Sequence, residues 1–128
     1  MVFYTPLRDW ITYEYRFGFT VPQLIFLCQC IEQVREVKGD IAEVGCAGGN
    51  TTVFINKFMD AQKIDKKYYA IDTFSGFTSE DVAYEVSKRQ KAPSLIYNAF
   101  QVNMKKWFDY TMKKNSISRV VSIQTDVN

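Results

Sequence analysis

The ten residues Ile41-Ala-Glu-Val-Gly-Cys-Ala-Gly-Gly-Asn50 decide how the rest of the chain is read. Ile41–Val44 is a short β-rich run that stops at a glycine cluster, Gly45, Gly48 and Gly49. Beyond the cluster, Asn50 or Thr51 is placed to cap a helix carrying Val53, Phe54, Phe58 and Met59. A glycine turn between a strand and a helix lets a ligand approach the backbone closely. It also sets the N–H groups of the first helical turn, which lack partners inside the helix, beside that ligand. In an open parallel sheet, the crevice at the carboxyl ends of the strands is the usual binding place.

Working outward, Tyr68-Tyr-Ala-Ile-Asp72 reads as a second buried strand that runs into Thr73-Phe-Ser-Gly76. Upstream, Thr20 as cap, Pro22 in the first turn and apolar Leu24, Leu27, Cys28, Ile31 and Val34 predict a helix over 21–37, with Gly39 as its stop. Downstream, Ser79-Glu80-Asp81 opens a helix. Pro93 interrupts, and an amphipathic helix follows with Ile96, Phe100, Met104, Trp107, Phe108 and Met112, whose aromatic spacing reads as core packing. Asn115-Ser116 breaks it, and Arg119–Gln124 gives a third strand ending at Asp126. Strands alternating with helices predict an α/β fold: a parallel sheet flanked by helices with right-handed crossovers. Residues 1–19 are aromatic-rich without a clear period and read as an arm; residues 20–128 read as one partial domain.

Bulk properties exclude several functions. Apolar residues make up 47% of the 128, which a disordered tail would not carry. The net charge of +2 is spread along the chain, so nucleic acid is not the expected partner. The longest apolar stretch, Val21–Ile31, falls short of the roughly 20 residues a membrane span needs. No basic start precedes an apolar core at the N-terminus, so the expected location is the cytoplasm. Cys28, Cys30 and Cys46 lack metal-ligand spacing and read as reduced structural thiols. Histidine is absent, so the chain contains no histidine triad.

Three ligand classes compete for the glycine turn. A phosphate-binding P-loop would need glycine and lysine where Asn50 and Thr51 stand. A dinucleotide fingerprint would need glycines at Ala47 and Asn50, and it places its ribose acid nearer than Asp72; this nicotinamide reading stays open as the weaker one. The third reading sets Glu43 two residues before Gly45, with Ala47 next and Gly49 closing the loop, and Asp72 ending the second strand.

That third pattern resembles motif I of class I methyltransferases, E/D-x-G-x-G-x-G, with Ala47 as the departure. A methyl group at Ala47 is modest unless the residue needs a positive φ. Gly39-Asp-Ile-Ala-Glu-Val-Gly followed by Asp72-Thr-Phe-Ser-Gly resembles more closely the macrocin O-methyltransferase-like family, over roughly residues 20–126. The resemblance implies a Rossmann-like sheet truncated after about three strands, and S-adenosylmethionine as cofactor. It implies that Gly45 and Gly49 face the methionine part, with Cys46 and Ala47 in the same turn, and that Glu43 orders the loop. Asp72 would bind the ribose hydroxyls, Thr73 and Phe74 would lie near ribose and adenine, and Asp126 near the adenine amino group. The implied reaction is methyl transfer to a small-molecule or sugar hydroxyl. In that family a later acidic D-x-D-x-Y-like segment binds Mg²⁺, and no such segment occurs in these 128 residues. The expected protein therefore binds cofactor and turns over weakly, with Mg²⁺ only in a full-length form. Its first strand would be an open edge, so self-association is expected. The alternative is a non-catalytic interaction module.

Overall fold

Three short strands pair in parallel: β1 (Ile41–Val44), β2 (Tyr68–Asp72) and β3 (Val120–Gln124), in the order β1-β2-β3. This computed structural model describes residues 18–92 and 105–126. Ile41 stands opposite Tyr68, and Tyr68 opposite Val120, so the central strand fixes the register of both neighbours. Four described helices join them: α1 (Val21–Gln33), α2 (Asn50–Ala61), α3 (Ser79–Ser87) and α4 (Lys105–Lys114).

Local chemistry sets the helix starts. Thr20 and Gln23 form a capping box at α1, with Thr20 N donating to Gln23 Oε1 at 2.8 Å. Helix α1 stops at Gln33 rather than 37, because the chain turns at Val34–Glu36 and Arg35 reaches across to the Gln62 carbonyl at 2.9 Å. Thr78 caps α3 and exchanges bonds with Asp81, so Ser79 is the first helical residue and not the cap.

Alternate strand residues point to opposite faces. On one face, Tyr68, Ala70 and Val120 meet two apolar clusters. One joins Cys46, Phe74, Phe108, Met112 and Ile117, while the other joins Ile55, Met59 and Ile64, with Leu27 and Ile31 of α1 against it. Met59 and Phe108 are wholly buried, each contributing about 1.5–3 kcal/mol by its removal from water. The other sheet face carries Ala42, Val44, Tyr69, Ile71, Val121 and Ile123, of which Val44 is 60% and Val121 47% exposed. Among the described residues this face has no comparable apolar cover.

Two expectations need correction. The α4 aromatics are not all core: Phe108 and Met112 are buried, but Trp107 is 52% and Tyr110 58% exposed. At about 100° per residue these two lie away from the Phe108–Met112 side. Neither Asn50 nor Thr51 caps α2; Gly49 does, with φ of 85°. Most of the expected arm, and Pro93, Ile96, Phe100 and Met104, lie outside the described residues.

Gly49 shows why that cap is glycine. A Cβ built on it would lie 2.8 Å from Met112 Cε and 2.9 Å from the Phe108 ring. Helix α4 therefore packs directly on the backbone of the glycine turn. Gly49→Ala is expected to lower stability by about 2–4 kcal/mol, from left-handed strain plus overpacking. Urea unfolding checks this; a loss below about 0.5 kcal/mol would mean that α4 moves away at little cost.

Candidate functional site

The site is built where the parallel strands end. Gly45, with φ of 80°, continues the ladder by donating to Ile71 O at 2.8 Å. The chain then folds through Cys46 and Ala47, and Gly49 N closes the turn onto Cys46 O at 2.9 Å. Ala47 N donates to Asp72 Oδ2 and Phe74 N to Asp72 Oδ1, both at 2.8 Å. Asp72 thus holds the β1 turn with one carboxylate oxygen and its own following turn with the other. Its carbonyl accepts from Thr125 N at 3.0 Å, and Gln124 Nε2 donates to Thr73 O at 3.0 Å. All three strand ends are drawn together at this one residue.

Ala47 and Phe74 both have positive φ, 47° and 48°. The departure from glycine at Ala47 therefore carries the left-handed strain, about 1 kcal/mol for a residue with a Cβ. Gly45 and Gly48 face open space, with nothing within 4 Å of a built Cβ. At Gly49 a side chain would instead meet α4, so its α-carbon serves packing while its backbone closes the turn.

Glu43 lies beneath the turn. Its Oε2 accepts from Thr52 Oγ1 at 2.5 Å and from Tyr68 Oη at 3.0 Å, tying β1 to α2 and β2. Burial pushes its carboxyl above the usual range; the Thr52 and Tyr68 bonds oppose this, and the Asp72 charge adds to it. Burial likewise pushes the Tyr68 hydroxyl up, with the Glu43 charge adding. Cys46 is buried, and burial, helped by Asp72 and Glu43, pushes its thiol up to about 12. It is a packing residue that stays protonated at neutral pH, not a nucleophile.

A cavity of about 400 Å³ runs along β1, lined by Leu27, Ile31 and Ile55 as well as by Glu43, Gly45, Cys46, Ala47 and Gly48. Asp72, Thr73, Phe74 and Asp126 do not line it. The Phe74 ring packs in the core against Phe108, with centroids 5.3 Å apart, so only its main chain borders the Asp72 carboxylate. Thr73 Oγ1 closes its own turn onto Gly76 O at 2.9 Å. Asp126 is exposed just past β3. Sequence reasoning missed Gly48, Asn50 and Thr51 as cavity lining, and Thr52 and Tyr68 as the partners of Glu43. It also missed Gln124 and Thr125, which reach Asp72 and Thr73 from β3. Among the described residues, no group of three or more His, Cys, Asp or Glu could hold a metal ion. No described helix is long and apolar enough to cross a membrane.

A parallel sheet with a glycine turn after β1 and an acid closing β2 is the opening portion of a Rossmann-like α/β domain. The macrocin O-methyltransferase (TylF) family matches residues 19–117, about three quarters of the sequence, and this chain belongs to that family. Among solved structures, the O-methyltransferase NovP is similar in fold, with a TM-score of 0.62 at 17% identity. That similarity covers 85% of this chain and 47% of NovP, so the chain spans about half of that protein's length. No curated protein matches.

The buried Glu43 carboxyl sets a pH dependence. Because its folded-state affinity for a proton is raised, the native state holds that proton more tightly than the unfolded chain. Stability from this group is greatest below the unfolded value of about 4.3 and falls as pH rises through the higher folded value. Glu43→Gln keeps an acceptor for Thr52 and Tyr68 and removes the titration. The melting temperature of the variant minus that of the native protein should increase from about pH 4 to 7; a constant difference would show that Glu43 does not titrate in this way.

Proposed function

We propose that this chain is the S-adenosylmethionine-binding part of an O-methyltransferase whose acceptor is a hydroxyl on a small molecule or sugar. The observation that carries the reading is the Asp72 carboxylate at the carboxyl end of the central strand, bonded to the amide of the glycine turn. A carboxylate there suits a ribose, because it accepts hydrogen bonds from two neighbouring hydroxyls at once. Gly45 and Gly48 leave open space over the turn, so the methionine end of a ligand has backbone to lie against. Cys46, Ala47 and Gly49 contribute main-chain atoms there. Thr73 and Phe74 enter as main-chain neighbours of Asp72, and Asp126, exposed beyond β3, as the neighbour of an adenine amino group.

Glu43 acts beneath the ligand by holding β1, α2 and β2 together. Transfer of a methyl group from sulfonium to hydroxyl requires alignment and a group to take the hydroxyl proton. No described residue is assigned the second task, and the described acids do not fit Mg²⁺, so no step is routed through a metal. The setting that goes with this reading is the cytoplasm, where the three thiols stay reduced.

A second reading, an interaction module, is favoured by one feature. Among the described residues β1 has a strand partner on one side only, and Val44 on the open sheet face is 60% exposed. Unpaired edges and uncovered apolar faces recruit other chains, so self-association is part of the proposal. Sedimentation should show association that rises with concentration and weakens in Val44→Lys; a folded monomer at all concentrations would exclude it.

Calorimetric titration tests the ligand. Saturable heat with S-adenosylmethionine and S-adenosylhomocysteine, and none with NAD, is expected. Asp72→Ala should weaken binding at least about tenfold, and Asp72→Asn less, with circular dichroism showing both variants folded. A folded native chain that binds neither compound would sink the cofactor reading and leave the interaction module. Saturable binding of NAD would favour the dinucleotide reading, against which Ala47 and Asn50 stand.

A further inference from the structure

Helix α4 carries four lysines and one aspartate, a larger positive balance than the +2 of the whole chain. The aspartate, Asp109, is already engaged: it takes Lys105 Nζ at 2.9 Å and Ser122 Oγ at 2.6 Å. The other three lysines are exposed, and helical spacing sets Lys106, Tyr110, Lys113 and Lys114 on the side facing away from Phe108 and Met112, with Trp107 at its margin. Trp107 and Tyr110 are each more than half exposed, on a helix whose other side is firmly buried.

The composition of this face points to an occupant. Tryptophan and tyrosine favour the boundary between water and lipid, with an apolar ring inward and a polar edge outward. Lysines around them reach phosphates while their stems cover apolar surface. A cavity beside this helix, lined by Met112, Lys113, Ile117 and Val120 among others, takes in neither Trp107 nor Tyr110, whereas single-stranded nucleic acid is held in grooves whose aromatics stack its bases. Helix α4 packs against β3, and β3 lies at the opposite edge of the sheet from β1. A chain added at the β1 edge would leave this face uncovered.

We propose that the outer face of α4 is a docking surface for an anionic lipid bilayer, with Lys106, Lys113 and Lys114 on the headgroup phosphates and Trp107 and Tyr110 at the interface. The contact is peripheral and involves no membrane span. It would keep the glycine turn near a membrane surface, whatever ligand the turn holds.

The test is flotation of the full chain with vesicles of neutral phosphatidylcholine, and with vesicles in which about one third is phosphatidylserine. Binding is expected only to the anionic vesicles, and it should fall steeply at about 0.3 M salt. The triple variant Lys106→Gln, Lys113→Gln, Lys114→Gln should bind about a hundredfold more weakly. Trp107→Ser should weaken binding at unchanged charge, and circular dichroism should show both variants folded. Lys38→Gln, which removes an exposed cation ahead of β1, should bind as the native chain does. Equal binding to neutral vesicles, no binding to anionic ones, or binding unchanged in the triple variant overturns the proposal. Retention of a single-stranded oligonucleotide without vesicle binding also overturns it, in favour of nucleic acid. None of these outcomes depends on whether S-adenosylmethionine binds.

Discussion

The bond from the Ala47 amide to the Asp72 carboxylate holds the end of β1 to the end of β2. Gly45 N on Ile71 O, the turn's own internal closure and the packing of α4 on Gly49 fix the rest of the glycine turn. A hydrogen bond to an ionised partner contributes about 1.5–3 kcal/mol. That is enough to offset the left-handed conformation of Ala47, which costs about 1 kcal/mol. The same relation holds on the other oxygen, where Phe74 is also left-handed and also donates its amide to Asp72. Bond and strain belong together, because in both turns the left-handed residue is the one whose N–H reaches the carboxylate. In Phe74 the same turn also delivers the ring to the core against Phe108.

Below that junction a second polar seam fixes α2 against the sheet. Glu43, Thr52 and Tyr68 share one carboxylate oxygen, and Thr52 is wholly buried. Asn56, one turn further along α2, is also wholly buried and donates to Thr52 O at 2.8 Å. An apolar helix face alone tolerates sliding and rotation, whereas a buried hydroxyl with a single carboxylate within reach does not. The seam is thus a registration device: it places the first turn of α2, and so the closing glycine, in one position over β1. Gly49 then accepts α4 at a distance no Cβ would allow. Two carboxylates and one glycine therefore position the whole turn.

The strands were legible because their signals are local: β-rich runs ended by glycine or aspartate give the observed Ile41–Val44 and Tyr68–Asp72. The ends of the helices were less legible. An asparagine or threonine after a glycine reads as a cap, but a left-handed Gly49 took that place because α4 leaves no room for a side chain. Spacing alone grouped Trp107 with Phe108 and Met112, since neighbours one apart on a helix differ in direction by more than an apolar count registers. The partners of Glu43 could not be read at all. Tyr68 lies 25 residues away and reaches it only through the pairing of Ile41 with Tyr68, which is a property of the assembled sheet. The roles of Asp72 and the glycines came from a motif; their division between turn closure, helix packing and open surface came only from geometry.

The cover of the sheet and the quality of the site are coupled. Parallel sheets are normally buried on both faces, and here only the face carrying Tyr68, Ala70 and Val120 meets the apolar clusters of the described residues. The glycine turn grows from β1, which among the described residues is an edge strand, and the cavity runs beside it. A ligand lying on the turn would have the Asp72 side as one wall and that open groove as the other. Water reaching the open side weakens every charge-assisted contact, because the effective dielectric rises. Whatever pairs with β1, be it another copy of the chain or a further segment, would at once bury Val44, fill the groove and dry the ligand site. Association and ligand affinity should then be linked with the same sign, since a partner that completes the wall favours the liganded turn and the liganded turn favours that partner.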